Sequence, residues 1–418
     1  MNKNAITSDT SLRSDSINYQ WVIFSILTMS HLLMAMCFFS WGPLGSILKN
    51  EFQLNNSQYG MVISSMYLAI ALISFPSGIL VDKFGAKRML IAATMLMGSG
   101  FAIFSIIPSC YLLFLAALLA GSGYGMINQI STKGLIYWFE VQKRGTVMGI
   151  KQTGVTVGGS LTGIYIPFLS IYMGWNIAVL LLSLSIIAMA IITLFFYKEQ
   201  PDIHEESAKT KVEDGSSKFN LKELLLNPKV LIVIFLLTFL AIAQGSFTSF
   251  LVLYGEESLK LSKIFAGSLL TFAMVGATFS RIFFGIMSDR FFNGNRVIPL
   301  TLIIFISALS TFSMLFLNDT TPAWAIRAVA FFLGAGILGW NSLAIIYLAE
   351  MTSSAMAGSI IGFFLAVVCG ALVVGPPAFG YIADLAGYNT AWLIVGSMLT
   401  ASFTGFVIIA VKEKMQGV

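Results

Sequence analysis

Residues 78–88 read GILVDKFGAKR. This is a short charged turn between two greasy runs, since residues 58–81 before it and 88–107 after it are almost wholly apolar. A run of roughly 20 apolar residues is what it takes to cross a hydrocarbon core about 30 Å thick. Working outward from the turn, the same pattern predicts twelve such segments, at about 21–48, 58–81, 88–107, 110–138, 145–171, 176–197, 229–254, 264–287, 297–317, 322–348, 357–384 and 389–411. Strands of a membrane barrel would alternate in polarity over about ten residues, whereas these runs are long and continuous. The fold class predicted is therefore an all-α membrane protein with twelve transmembrane helices. Composition agrees: 57% of the residues are hydrophobic and 10% charged, against about 25% charged in a soluble domain. The first run is too long for a signal peptide and lacks a small-residue cleavage site, so it reads as a span.

Lys and Arg in short loops stay on the cytoplasmic side of a membrane. With an even number of spans both termini share one compartment. Placing them in the cytoplasm puts Lys83, Lys87, Arg88, Lys143, Arg144, Arg290, Arg296 and most other cations inside, and leaves only Lys49, Lys260 and Lys263 outside. The expected location is a cell membrane, multi-pass, with a bacterial inner membrane as the setting. The net charge of +5 is then a topology signal and calls for no nucleic acid. The expected domains are a cytoplasmic tail (1–18), a first six-helix bundle (19–197), a polar linker (198–228), a second six-helix bundle (229–412) and a short tail (413–418). The linker mixes charges with Pro and Ser and has few aromatics, which predicts disorder. Its His204 has no Cys or His neighbour that would suggest a metal. Cys37, Cys110 and Cys369 are far apart and odd in number, and read as packing residues without a disulfide.

The halves resemble each other at a constant offset, as in carriers built from internal repeats. The segments beginning at Arg144 and Ala357 align without a gap, pairing Gly145 with Gly358, Gly149 with Gly362, Gly174 with Gly387 and Asn176 with Asn389. Segments four and ten keep that register at Gly121 and Gly334, Gly123 and Gly336, and Asn128 and Asn341. Small residues recur where helices approach closely in lipid.

Together these features resemble the major facilitator superfamily over nearly the whole chain. The turn at Gly78–Arg88 is similar to that superfamily's Gly-x-x-x-Asp-(Arg/Lys)-x-Gly-x-(Arg/Lys)-(Arg/Lys) loop, and GIMSDRFFNGNR, residues 285–296, is a degenerate copy. The resemblance implies two pseudo-symmetric six-helix bundles and alternating access. It also implies a gating role for the loop charges: Asp82, Lys83 and Arg88 in the first copy, Asp289 and Arg290 in the second.

Arg281 sits inside the apolar run ATFSRIFFGIMSDR, residues 277–290. It lies about 12 Å of helix from Asp289, close to mid-membrane. A guanidinium there should face protein or a wet cavity. All 19 acids fall in tails, loops or helix ends, with Asp384, Glu350, Asp82 and Asp289 the deepest, so a substrate anion is the expected counterion. Arg holds carboxylate or phosphate through two parallel hydrogen bonds; the alternative is a structural role on backbone carbonyls or Asp289. Lys151 and Lys133 are further in-membrane cations, either of which could instead snorkel to headgroups, and Arg327 reads as an outer snorkeler. Asn128, Gln244 and Asn341 stand at mid-segment depth, and in sugar porters of the superfamily the position of Gln152 binds substrate. The run from Arg281 resembles segment eight of the oxalate:formate antiporter and monocarboxylate transporters, where that arginine contacts the carboxylate. Departures narrow the comparison: Val368 replaces the oxalate carrier's lysine, and Ala117 and Tyr124 replace the Arg and Glu of anion:cation symporters.

His31 is the one titratable group in the middle of segment one and is a candidate carrier of a co-transported proton; a packing role is the alternative. No Walker motif, metal cluster or nucleophile–base pair appears, so neither an enzyme nor a cofactor is expected. The function expected is transport of a small organic anion, a monocarboxylate in the first instance, by a monomer in the bilayer. The rival readings are a multidrug exporter and, from another class, a membrane receptor or scaffold.

Overall fold

A computed structural model describes residues 3–199, 227–292, 294–352 and 354–415, and among them every regular element is helical. In chain order these are α1 (Lys3–Phe52), α2 (Asn56–Ile106), α3 (Cys110–Trp138), α4 (Val141–Tyr172), α5 (Trp175–Phe196), α6 (Pro228–Glu257), α7 (Lys263–Arg290), α8 (Val297–Ser313), a 3₁₀ turn (Met314–Phe316), α9 (Ala323–Ile337), α10 (Asn341–Glu350) and α11 (Ser354–Met415). Helix α1 reaches back to Lys3, ahead of the apolar span that starts at Tyr19. Of the expected linker, residues 200–226, His204 included, lie outside the described residues.

Among the described residues, ten helical stretches are long and apolar enough to cross a membrane. Two are far longer than one crossing needs: Asn56–Ile106 has 51 residues and Ile360–Glu413 has 54, about 75–80 Å of helix against a core of about 30 Å. Each is broken at a glycine with positive φ, Gly85 (φ 83°, ψ 161°) and Gly387 (φ 82°, ψ 164°), a conformation that glycine alone adopts without a Cβ penalty. Each long helix is thus two arms meeting at a sharp corner. Gly174, the partner of Gly387 in the internal alignment, has the same backbone conformation (φ 88°, ψ 150°). Gly294 in the second loop copy answers Gly85 in the first, with φ 85°.

The aligned glycines of segments four and ten do the same work in both halves. A Cβ on Gly121 would collide with the Met66 carbonyl of α2, and one on Gly334 with the Ala273 carbonyl of α7. Gly123 likewise abuts Ala93, and Gly336 abuts Ser307. Without a hydrophobic drive between helices in lipid, such close backbone approach is what holds them together. The first five helices pack among themselves, as do α6 to α11, and the two groups meet along α1 with α6, α2 with α11, and α4 with α7. Gly163 lies against the backbone of Gly267, and Gly60 against Pro376 and Pro377, so small residues line this seam as well.

Candidate functional site

Along the seam a cavity of about 220 Å³ opens between the halves. Helices α1 to α3 give it Phe38, Phe39, Tyr67 and Tyr124, and α4 gives Thr156. The other half gives Gln244 and Thr248 from α6, Arg281 from α7, and Cys369 from α11. A second cavity, lined by Gly149, Gln152, Thr153, Thr278 and Ser342, shares Thr156 and Arg281 with the first. Arg281 therefore stands at the neck between them.

Its position has a local cause. Helix α9 stops at Ile337 and α10 starts at Asn341, leaving Leu338–Trp340 irregular inside one apolar stretch. Gly339 in this break has no side chain to keep Ser280 of α7 away. The Leu338 carbonyl accepts from Arg281 Nε at 3.3 Å and from Nη2 at 3.1 Å. Among the described residues no carboxylate pairs with Arg281. A guanidinium has five N–H donors, so one peptide oxygen leaves most of its capacity for whatever enters.

The other predicted residues divide into groups. Gln244 lines the cavity and accepts from Asn341 Nδ2 at 3.2 Å, and Gln152 lines the second cavity. Lys151 does not line the central cavity; it is 3% exposed and donates to Ser131 Oγ at 3.0 Å and to Asn128 Oδ1 at 3.4 Å, both on α3. Lys133 is ion-paired to Asp82 of α2. His31 is fully buried with both ring nitrogens unpartnered, edge-on to Tyr124 with centroids 6.1 Å apart. Tyr124 in turn stacks on Phe38 of the cavity wall at 4.4 Å. In the second loop copy Arg296 is the hub: it pairs with Asp289 and with Glu350 at 3.3 Å, and donates to Ser288 Oγ at 2.9 Å. The Asp289 carboxylate holds the Arg296 guanidinium above its ordinary pKa. Lys83 lies over the Phe84 ring, while Arg88 and Arg290 are exposed. Arg327 lies against two aromatic rings: its Cζ is 4.6 Å from the Phe265 ring centre and 5.5 Å from that of Phe272.

A charged clasp at the opposite end from the loops was not foreseen. Lys49 Nζ donates to Glu257 at 2.7 Å and to Asn56 Oδ1 at 2.5 Å, and the Tyr388 hydroxyl stands 2.7 Å from Glu257 Oε2 and 2.8 Å from Asn56 Oδ1. Ser46 donates to Glu256 at 2.5 Å. The Asp384 carboxylate accepts from the backbone N–H groups of Asn56 and Ser57 at 2.9 and 2.8 Å, capping the first turn of α2 from the other half. A helix N-terminus favours such an anion. Closer to the cavity, Ser64 donates to the Val373 carbonyl, Tyr67 and Thr248 share a hydrogen bond of 3.0 Å, and Thr271 donates to the Ser160 carbonyl at 2.7 Å.

Three comparisons with known proteins bear on this architecture. The chain is 24% identical to the probable sulfoacetate transporter SauU of Cupriavidus necator, over 84% of this chain and 85% of that protein. It is 28% identical to the multi-drug resistance efflux pump PmrA of Streptococcus pneumoniae, over 80% and 81%. The solved structure of the nucleoside transporter NupG superposes with a TM-score of 0.72 at 17% identity, covering 92% of this chain and 98% of that one. The model of the Major Facilitator Superfamily matches residues 27–371 and, in a second match, 257–416. The chain belongs to the Major Facilitator Superfamily.

Proposed function

We propose that the chain is a carrier that moves a small organic anion, a carboxylate in the first instance, across a membrane by alternating access between two six-helix bundles. The count of twelve crossings follows if each of the two over-long helices crosses twice, its arms meeting at Gly85 and at Gly387. The observation that carries the choice of cargo is Arg281: a guanidinium at the neck of the central cavity, anchored on one peptide oxygen and paired with no carboxylate among the described residues. An anion entering the cavity supplies the missing charge and the second half of a two-point hydrogen bond. The volume fits this cargo, since about 220 Å³ is the share of roughly seven water molecules. The likeness to the sulfoacetate transporter points the same way.

In this reading the loop end and both termini face the cytoplasm, and the clasp closes the outer mouth. Gln244, Asn341 and Gln152 line the anion's path. Lys151 and Asn128 brace the wall behind it, and Lys133 serves Asp82 in the loop. His31, shielded by Tyr124, is the group that would take up a proton. The relation to PmrA favours a second reading, a multidrug exporter; Arg281 in the cavity, paired with no carboxylate among the described residues, speaks against cationic drugs as its cargo.

The test is thermal stabilisation of the purified protein by small carboxylates, sulfonates, phosphates and cationic drugs, repeated on Arg281→Ala and Arg281→Lys. A carboxylate should stabilise the parent, bind about a hundredfold more weakly to Arg281→Ala, and less tightly to Arg281→Lys, whose ammonium lacks the fork. Stabilisation by cationic drugs alone, or by the anion equally well in Arg281→Ala, would overturn the reading.

A further inference from the structure

Away from the seam, α6 and the last arm of α11 leave a groove of about 280 Å³ on the lipid-facing side of the second half, at the loop end. Its walls are apolar, with Ile232 54% exposed and Ile408 56% exposed. Its floor is Leu236, which lies against Gly405 where a Cβ would collide with it. The Ser402 hydroxyl donates to the Leu236 carbonyl at 3.0 Å and fixes the two helices across the groove.

The mouth is cationic. Lys229, in the first turn of α6, and Lys412, near the end of α11, both line it, and neither ammonium is ion-paired among the described residues. The one acid among the described residues that line the mouth, Glu413, is occupied by the Tyr347 hydroxyl, which donates to Oε1 at 2.9 Å. An apolar trough open to the membrane, ending in two lysines at the depth of the headgroups, matches one kind of molecule: an acyl chain carrying a phosphate. A free anion would have no use for the trough, and a neutral lipid none for the lysines.

We propose that this groove is a binding site for an anionic glycerophospholipid, its acyl chain between α6 and α11 and its phosphate between Lys229 and Lys412. Basic pockets between helices at a membrane surface recognise headgroups in this way. The site lies outside the transport path, so it stands or falls independently of the cargo. Bound there, the lipid ties the first helix of the second half to its last.

Delipidated protein in detergent is titrated with phosphatidylglycerol, with phosphatidylcholine of the same acyl chains, and with inorganic phosphate, following thermal stability and lipid retained in native mass spectra. Phosphatidylglycerol should stabilise the parent, the other two should not, and each Lys→Gln change at 229 or 412 should weaken its retention about fivefold, both together about twentyfold. Lys229→Arg with Lys412→Arg should restore retention, and Lys260→Gln, at the opposite end, should leave it unchanged. Equal stabilisation by phosphatidylcholine would leave only a greasy groove, and equal stabilisation by phosphate only an ion site. Either result, undiminished retention in the double Gln variant, or an equal loss in Lys260→Gln, would overturn the proposal.

Discussion

At one end of the molecule Lys49, Asn56 and Ser57 of the first half reach across to Glu257, Tyr388 and Asp384 of the second. At the other end Asp82 keeps Lys133 within the first half, while Asp289 and Glu350 keep Arg296 within the second. Both ends set carboxylates against cations, and at the clasp Asp384 also accepts from backbone N–H groups. The partners' addresses differ. Contacts that cross the seam stabilise one relative position of the halves, whereas contacts inside a half travel with it and are indifferent to that position. Among the ion pairs of the described residues, the one at the clasp therefore depends on that position, and Lys133–Asp82, Arg296–Asp289 and Arg296–Glu350 do not.

The sharpest way to break this contrast is Glu257→Gln combined with Asp384→Asn. Losing charge-assisted hydrogen bonds at the clasp should cost the closed arrangement about 2–3 kcal/mol, a factor of roughly thirty to 150 in its population. Spin labels at exposed Glu51 and Lys260, one on each half, should show the distance between them lengthen; an unchanged distance would mean that the seam glycines alone hold that end shut. Next in size is Asp82→Asn. It should lower thermal stability by about 1 kcal/mol, the upper range for a partly exposed pair, and leave the label distance as it was. A lengthening equal to that of the clasp variant would erase the distinction between the ends. Smallest is Arg296→Lys, which keeps the charge but loses the fork that spans Asp289 and Glu350. With both carboxylates at least half exposed, the change should stay under about 1 kcal/mol and shrink further in high salt, measured as the melting temperature at two ionic strengths.

The all-helical, apolar architecture was readable in the sequence because a helix in lipid must satisfy its own backbone along a long apolar run; the count of crossings was not, since ten stretches emerge among the described residues where twelve segments were expected. The glycine register was readable because Gly121 and Gly334 answer the same steric demand in each half. Arg281 showed itself as one charge in a greasy run, and the cavity receives it. What stayed hidden depends on which helix faces which. Nothing about Lys133 announces Asp82 as its partner, because the two meet only when α2 packs on α3. Nor does Arg327 announce the rings of Phe265 and Phe272, over which it lies only because α9 packs on α7. The break at Leu338–Trp340 was equally invisible: its glycine resembles others that sit in unbroken helix, and only the irregular backbone reveals the carbonyl that anchors Arg281.

That anchor has an electrical consequence. A peptide oxygen orients a guanidinium but does not neutralise it, so on the proposed reading a monovalent anion cancels one of the positive charges, that of Arg281, which the unloaded protein holds within the membrane. A transmembrane voltage, worth at most about 2.3 kcal/mol per 100 mV for one charge crossing the whole field, would pull harder on the return stroke than on the loaded one. Capacitive currents from proteoliposomes should accordingly be largest without cargo and fall as it is added; currents that grow with cargo would contradict the assignment.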